Sequence, residues 1–383
     1  MPHESLSPAF SIIAKPAGPF CNLDCRYCFY LPKRSLFPGK QAGRMSVETL
    51  ELFVRQYIAS QPGPEVHFIW QGGEPALLGP AFFRNAFELQ VKHCPSGKRV
   101  SNSLQTNGTL LDDEWGALLK EHDVLVGLSL DGPQNLHEAN RGKKTFAAAM
   151  RGLECLHKYA VRLSALTCIS RANQECGREV YRFLRDACGL QLLQFIPVVI
   201  PAADEPANLA SPANPLSVQT LAYGKFLCDI FDEWLPRDFG RIFVQQFEVT
   251  LAMLVGLPPP LCIYAEECGR AAVLEHDGRL YSCDHFVSPE HTLGSLHDRP
   301  LAELLNSARQ KTFGQAKRAL PRACRLCEFL ELCHGECPKN RLLPSPAGQP
   351  NLNYLCAGLK TYFAHTLPIF TKITRDLTQK IKF

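Results

Sequence analysis

Between Phe10 and Ile200 the apolar and polar positions repeat one unit: a short apolar run rich in β-branched residues, a polar loop, then apolar residues at helical spacing. Six such runs stand at Phe10 to Lys15, Val66 to Trp70, Arg99 to Gln105, Val124 to Leu130, Leu163 to Ile169 and Leu192 to Val198. Between them, Val47 to Ala59, Ala81 to His93, Asp113 to Glu121, Phe146 to Tyr159 and Arg178 to Ala187 read as helices, with Ser46 and Asp112 at N-cap positions. Strand alternating with helix predicts a parallel sheet with right-handed crossovers. Six repeats suit a doubly wound sheet or an incomplete β/α barrel, and periodicity does not choose between them.

The stretch from Pro201 to Pro215 is rich in Pro, Ala and Asn without periodicity and reads as a surface loop or linker, after which Ser217 to Leu235 returns to a helical pattern. Beyond about Phe243 the alternation stops and cysteines crowd in. A hairpin is expected over Ala271 to Cys283, turning at Asp277-Gly278. These changes of texture predict two domains, residues 1–240 and residues 241–383, the second too irregular to rely on an apolar core alone.

Charge changes this picture little. The 41 basic and 37 acidic side chains of the 383-residue chain leave a net charge of +4, which does not indicate nucleic acid or another polyanion. Met1 to Phe10 lacks a basic region followed by an apolar core, and no stretch reaches the roughly 18 apolar residues of a membrane span. A cytoplasmic protein is expected, with no membrane partner. Seventeen cysteines then stand out, because a reducing compartment gives no use for a disulfide framework. Metal or cluster binding is the better account.

Cys21, Cys25 and Cys28 form C-x3-C-x2-C in the loop after the first strand. Three thiolates this close wrap one face of a four-iron cluster, which takes four ligands, so one iron is left open for a small chelating molecule such as S-adenosylmethionine (SAM). A zinc site with a distant fourth ligand is the alternative on spacing. The run Cys21-Asn22-Leu23-Asp24-Cys25-Arg26-Tyr27-Cys28-Phe29-Tyr30 resembles the signature of the radical SAM superfamily. That resemblance implies a partial β/α barrel, with its site at the mouth formed by the carboxyl ends of the strands.

Three further loops follow strand ends. Gln71-Gly72-Gly73-Glu74-Pro75 follows the second run. A Gly-Gly pair alone is usually a turn, but here it resembles the GGEP motif that holds the SAM amino group, making Gly72, Gly73, Glu74 and Pro75 cofactor candidates. Gln105-Thr106-Asn107-Gly108 follows the third run, and Ser129 with Asp131-Gly132-Pro133 ends the fourth. The resemblance implies Ser129 and Arg141 at the SAM carboxylate, Tyr27 and Gly73 at the rest of the cofactor, and Val199 at the adenosine. On the residues alone, Ser129 and Asp131 could equally cap a helix and Arg141 be a solvated charge.

A second cysteine field holds Cys262, Cys268, Cys283, Cys324, Cys327, Cys333, Cys337 and Cys356. Two four-cysteine zinc sites would explain it on spacing. Three four-iron clusters with one open iron need eleven ligands, which is the sum of the two fields. The remaining six, Cys94, Cys155, Cys168, Cys176, Cys188 and Cys228, read as buried small apolar residues. The pattern resembles the SPASM domain, which binds two auxiliary four-iron clusters. By that resemblance Cys262, Cys268, Cys283 and Cys337 hold one cluster, and Cys324, Cys327, Cys333 and Cys356 hold the other.

Over nearly its whole length the chain resembles the anaerobic sulfatase-maturating enzymes. The resemblance rests on Ala14-Lys15-Pro16, Cys28-Phe29-Tyr30, Trp70 to Pro75, Leu104 to Leu111, Gln194-Phe195-Ile196-Pro197, Cys283-Asp284-His285-Phe286 and Asn353-Tyr354-Leu355-Cys356. It departs in loops, notably Pro201 to Pro215. It implies oxidation of a cysteine or serine in an unfolded or nascent sulfatase polypeptide to formylglycine, with SAM, three clusters and an electron donor such as flavodoxin or ferredoxin. Asp284 is then the general base, or an aspartate that only hydrogen-bonds beside a cluster; Tyr30 and Gln71 either hold the peptide or simply pack. Rival readings are a SPASM-type maturase forming thioether or carbon-carbon crosslinks, and a non-catalytic zinc scaffold. Such maturases often carry an added N-terminal recognition domain, for which a first strand at about Phe10 leaves no room.

Overall fold

The computed structural model describes residues 9–38, 43–202 and 213–381. The six apolar runs form strands β1 (Ser11–Lys15), β2 (Glu65–Trp70), β3 (Arg99–Thr106), β4 (Leu125–Ser129), β5 (Arg162–Ile169) and β6 (Leu192–Pro197). They lie side by side in chain order and pair in parallel. Each crossover therefore steps the same way, whereas a doubly wound sheet reverses its order at a switch point. The sheet does not close, and the fold is an incomplete β/α barrel.

Four strands extend this sheet where the sequence suggests a separate unit. The two residues of β7 (Phe243–Val244) pair in parallel with β6, a strand too short to leave a periodic signal. At the other edge β8 (Ala271–Glu275), β9 (Arg279–Tyr281) and β10 (Thr292–Ser295) form an antiparallel meander that includes the expected hairpin. β8 runs parallel to β1, in register from Ser11 opposite Ala271 to Lys15 opposite Glu275. Leu280, Leu293 and Leu304 share one apolar core with Phe53, Phe68 and Trp70 of the barrel. Sheet and core both cross the change of texture near residue 240.

The helices follow local chemistry. Ser46 Oγ accepts the Thr49 amide at the start of helix Val47–Ser60, and Asp112 Oδ1 accepts the Trp115 amide at the start of Asp113–Glu121. Helix Gln134–Arg141 was not expected: Leu136 is its one strongly apolar residue, so no stripe marks it. Within Pro201 to Pro215, residues 203–212 lie outside the described residues, and Pro201 bridges Ala213. The later helical pattern is Thr220–Asp238, with Pro236 in its last turn. It packs against the C-terminal helix Cys356–Ile381 through two glycines. A Cβ on Gly358 would lie 1.9 Å from the Thr220 carbonyl oxygen, and one on Gly224 would lie 2.3 Å from that of Gly358. Among the described residues no helix is long and apolar enough to cross a membrane.

Candidate active site

A cavity of about 320 Å³ opens at the carboxyl ends of the parallel strands. Cys21, Cys25 and Cys28 stand on its wall together with Tyr27, Tyr30, Gln71, Gly72, Gly73, Glu74, Ser129, Arg141, Val199 and Asp284. Pro75 lies just behind, buried in the first turn of the 3-10 helix Pro75–Leu78.

The cysteine loop is held by the Gly-Gly turn. The amides of Gly73 and Glu74 donate to the carbonyls of Gly18 and Phe20, both at 2.8 Å. A Cβ at Gly73 would lie 1.9 Å from the Phe20 oxygen, so only glycine permits this approach. Gly72 has φ of +145°, which also suits glycine. With those two amides engaged, the turn's carbonyls are the groups left to meet a cationic amine. The Glu74 carboxylate faces inward, accepting from the Ala76 amide, Thr106 Oγ1 and the Asn107 amide at 2.9, 2.7 and 2.7 Å. Glu74 thereby ties the β2 loop to the β3 loop. Burial pushes its carboxyl pKa up, against those three hydrogen bonds. Asn107 in turn donates to Asn22 Oδ1 at 2.9 Å, beside Cys21.

Arg141 is neither solvated nor loosely placed. Its Nε and Nη2 donate to Asp131 Oδ2 and Oδ1 at 2.9 and 3.0 Å, and its guanidinium lies 5.5 Å from the Tyr27 ring centre. Asp131 also accepts from Tyr27 Oη at 2.8 Å and from the Cys168 amide at 3.0 Å. Asp131 caps no helix, since Pro133 is the N-cap of Gln134–Arg141 and makes no side-chain cap bond. Ser129 Oγ accepts from Gln105 Nε2 at 3.1 Å. Burial pushes the Cys25 thiol up to about 11, with Arg141 pulling the other way.

The C-terminal part of the chain also contributes Asp284, His285 and Lys339 to the wall. Asp284 stands 2.6 Å, by Oδ1, from Nζ of the fully buried Lys15 at the end of β1. Burial alone would raise the Asp284 pKa, but Lys15, His285 and Lys33 outweigh it and hold the carboxyl below its ordinary range. The hydroxyl of buried Tyr30 is hydrogen-bonded to Glu275, which leaves its ring as the surface offered to the cavity. Lys339 reaches the same wall and donates to the Val199 carbonyl at 3.2 Å.

Of the six cysteines read as packing residues, Cys188 alone is buried, and the other five are half-buried. Cys168 lines the active cavity, because it is the penultimate residue of β5 and so reaches the mouth. The eight cysteines of the second field separate into two neighbourhoods. Cys324, Cys327, Cys333 and Cys356 line one cavity of about 280 Å³. Cys283 lies within electrostatic reach of Cys262 and Cys268, and Cys337 within reach of Cys283. Burial pushes the Cys283 and Cys333 thiols up to about 12, and neighbouring thiols add to the rise. Among the described residues no three Cys, His, Asp or Glu side chains are arranged to hold a single metal ion. Thiols spaced around a cavity suit a polynuclear iron-sulfur group, for which the donors present are the right type.

Residues 16–184 match the Radical SAM superfamily, and residues 262–328 match the SPASM iron-sulfur cluster-binding domain. The chain is 41% identical over 380 residues to the serine-type anaerobic sulfatase-maturating enzyme of Bacteroides thetaiotaomicron, spanning 96% of this chain and 91% of that protein. This chain belongs to the anaerobic sulfatase-maturating enzymes. A cysteine-type anaerobic sulfatase-maturating enzyme of Clostridium perfringens is 32% identical over 97% of this chain and all of that protein. Among solved structures, native anSMEcpe with bound AdoMet and Cp18Cys peptide superposes with a TM-score of 0.86 at 31% identity, covering 96% of this chain and 100% of that one. Streptococcus suis SuiB, at 12% identity and a TM-score of 0.61 over 87% of this chain and 74% of that one, shares the fold alone. As a sulfatase-maturating enzyme the chain is a radical SAM enzyme. Two features of its site went unread in the sequence: Lys15, a lone charge ending an apolar strand, and the weakly patterned helix that carries Arg141.

Proposed function

We infer that this enzyme oxidises the Cβ of a cysteine or serine in a sulfatase polypeptide to the aldehyde of formylglycine. One observation carries the reading: an ionisable carboxylate, Asp284, and the C-x3-C-x2-C thiols line the same cavity although 256 positions separate Asp284 from Cys28 (284 minus 28). Residues 1–240 act as the SAM-binding part and residues 241–383 as the part carrying the auxiliary groups.

Converting CH2–OH or CH2–SH to C=O or C=S removes a hydrogen atom, an electron and a proton. Bound SAM with its four-iron cluster supplies the acceptor of the hydrogen atom, and two auxiliary four-iron clusters supply an acceptor for the electron. The chain's own residues do the rest. Cys21, Cys25 and Cys28 hold the first cluster; Cys262, Cys268, Cys283 and Cys337, and Cys324, Cys327, Cys333 and Cys356, hold the others. Ser129 and Arg141 meet the SAM carboxylate, the turn Gly72 to Pro75 its amine, and Tyr27 and Val199 the remainder. Tyr30 and Gln71 flank the substrate peptide, and Asp284 takes the proton from its oxygen or sulfur. A serine gives the aldehyde directly; a cysteine gives a thioaldehyde, which water converts with release of hydrogen sulfide. Electrons arrive from a flavodoxin- or ferredoxin-type donor, in keeping with a reducing cytoplasm.

The test is anaerobic incubation of reconstituted enzyme, SAM and reductant with peptides containing S-x-P-x-R or C-x-P-x-R. Mass spectrometry should find the aldehyde at the target residue and about twelve irons per chain. SAM cleavage with neither peptide oxidised would overturn the assignment.

A further inference from the structure

Lys15 is the last residue of β1 and 1% exposed, so its side chain ends in a place that water does not reach. Three contacts define its setting. Its Nζ lies 2.6 Å from Asp284 Oδ1 and 4.5 Å from the centre of the Tyr30 ring. Its stem passes beneath the Gly-Gly turn, where a Cβ on Gly72 would lie 3.4 Å from Lys15 Cδ. Asp284 itself is carried by the loop after β9, an irregular segment with no strand or helix to fix its side chain. A long flexible lysine is a poor choice for packing a strand end and a good one for reaching beyond the end of its strand to hold a carboxylate.

We propose that Lys15 is the positioning residue for the reaction's base, holding one oxygen of Asp284 from the barrel so that the carboxylate keeps a fixed place relative to the Gly-Gly turn. The proposal rests on Asp284 being that base. β1 then sets both ends of the geometry: its following loop carries Cys21, Cys25 and Cys28, and its last side chain grips the proton acceptor. Removing the ammonium leaves a carboxylate without its buried partner, which turns or draws in water. A displacement of that kind reduces the step that uses the group by about 10²-fold while leaving earlier steps intact.

Lys15→Met, Lys15→Arg and Asp284→Asn are compared in reconstituted enzyme with a serine-containing peptide. Iron content, 5′-deoxyadenosine and formylglycine are measured on the same samples. Lys15→Met should keep its iron and its 5′-deoxyadenosine formation within about twofold, and lower kcat for formylglycine about 10²-fold with little change in peptide KM. Lys15→Arg should recover part of that loss, and Lys15→Met with Asp284→Asn should be no worse than Asp284→Asn alone. Normal formylglycine per 5′-deoxyadenosine in Lys15→Met, with Asp284→Asn impaired, overturns the Lys15 role alone. Normal product from Asp284→Asn removes the base assignment and this proposal with it. Loss of iron from both Lys15 variants makes the residue structural and likewise overturns it.

Discussion

Arg141 grips Asp131 through two parallel hydrogen bonds at the mouth of the barrel, and neither side chain is more than 6% exposed. The fork is geometric as well as electrostatic: Asp131 also receives Tyr27 and the Cys168 amide, so one carboxylate joins the cysteine loop, the unforeseen helix and β5. Asp131→Ala leaves a buried guanidinium without its partner. It should destabilise the protein by about 3–5 kcal/mol, read by chemical denaturation of the reconstituted enzyme. Arg141→Lys keeps the charge but not the fork, and should weaken SAM binding in an equilibrium titration while leaving iron content unchanged.

Gly73 leaves no room for a methyl group. Gly73→Ala must displace the backbone of Phe20 and with it the cysteine loop. Its expected effects are a lowered melting temperature, from overpacking worth about 1–3 kcal/mol, and loss of SAM cleavage in a 5′-deoxyadenosine assay.

Changing Cys21, Cys25 and Cys28 together to Ala should abolish SAM cleavage and lower iron by about a third, because their loop and the two other thiol neighbourhoods are built from different segments. Iron analysis beside the unaltered enzyme decides it. Loss of all iron would show that the three sites assemble together.

Asp284→Asn separates hydrogen abstraction from deprotonation. The variant should keep its clusters and cleave SAM, yet form about 10²- to 10⁴-fold less formylglycine. Deuterium placed on the target Cβ should still appear in its 5′-deoxyadenosine. If Asp284 only supports the neighbouring Cys283, the same change should instead lower iron and alter the absorption spectrum.

Gly358 lies two residues into the helix that begins at the thiol Cys356. Gly358→Ala forces that helix away from the Thr220 carbonyl, and should lower thermal stability and strip iron from the Cys324, Cys327, Cys333 and Cys356 site before the others. Partial iron loss, followed by spectroscopy of the remaining clusters, checks this.

What could be read from the sequence was what is local. The β-branched runs became six parallel strands, and Ser46 and Asp112 became N-caps. C-x3-C-x2-C announced its chemistry because three thiols within eight residues need no fold to bring them together. What escaped depends on distance along the chain. Spacing could not sort eight cysteines into two neighbourhoods, since Cys333 and Cys337 stand four positions apart (337 minus 333) and line up with different partners. Only the resemblance pointed to Arg141; on the residues alone it could equally be a solvated charge, because the polarity of its helix hides that one face turns inward. Lys15 looked like the end of a strand because Asp284, the group that explains it, is 269 positions away (284 minus 15).

The pairing of β1 with β8 has a consequence for how the molecule is made. Ser11 meets Ala271 across 260 positions (271 minus 11), so β1 waits for its second neighbour until all the residues between them have been made. At about 5–20 residues per second that interval is some tens of seconds. Throughout it Ser11–Lys15 presents a row of unpaired amides and carbonyls, a template to which any other extended chain can add. Contacts of such long range also form late and slowly. A nascent chain stalled or cut before β8 therefore carries an open edge beside its C-x3-C-x2-C loop, and productive synthesis calls for that edge to be shielded until the meander arrives.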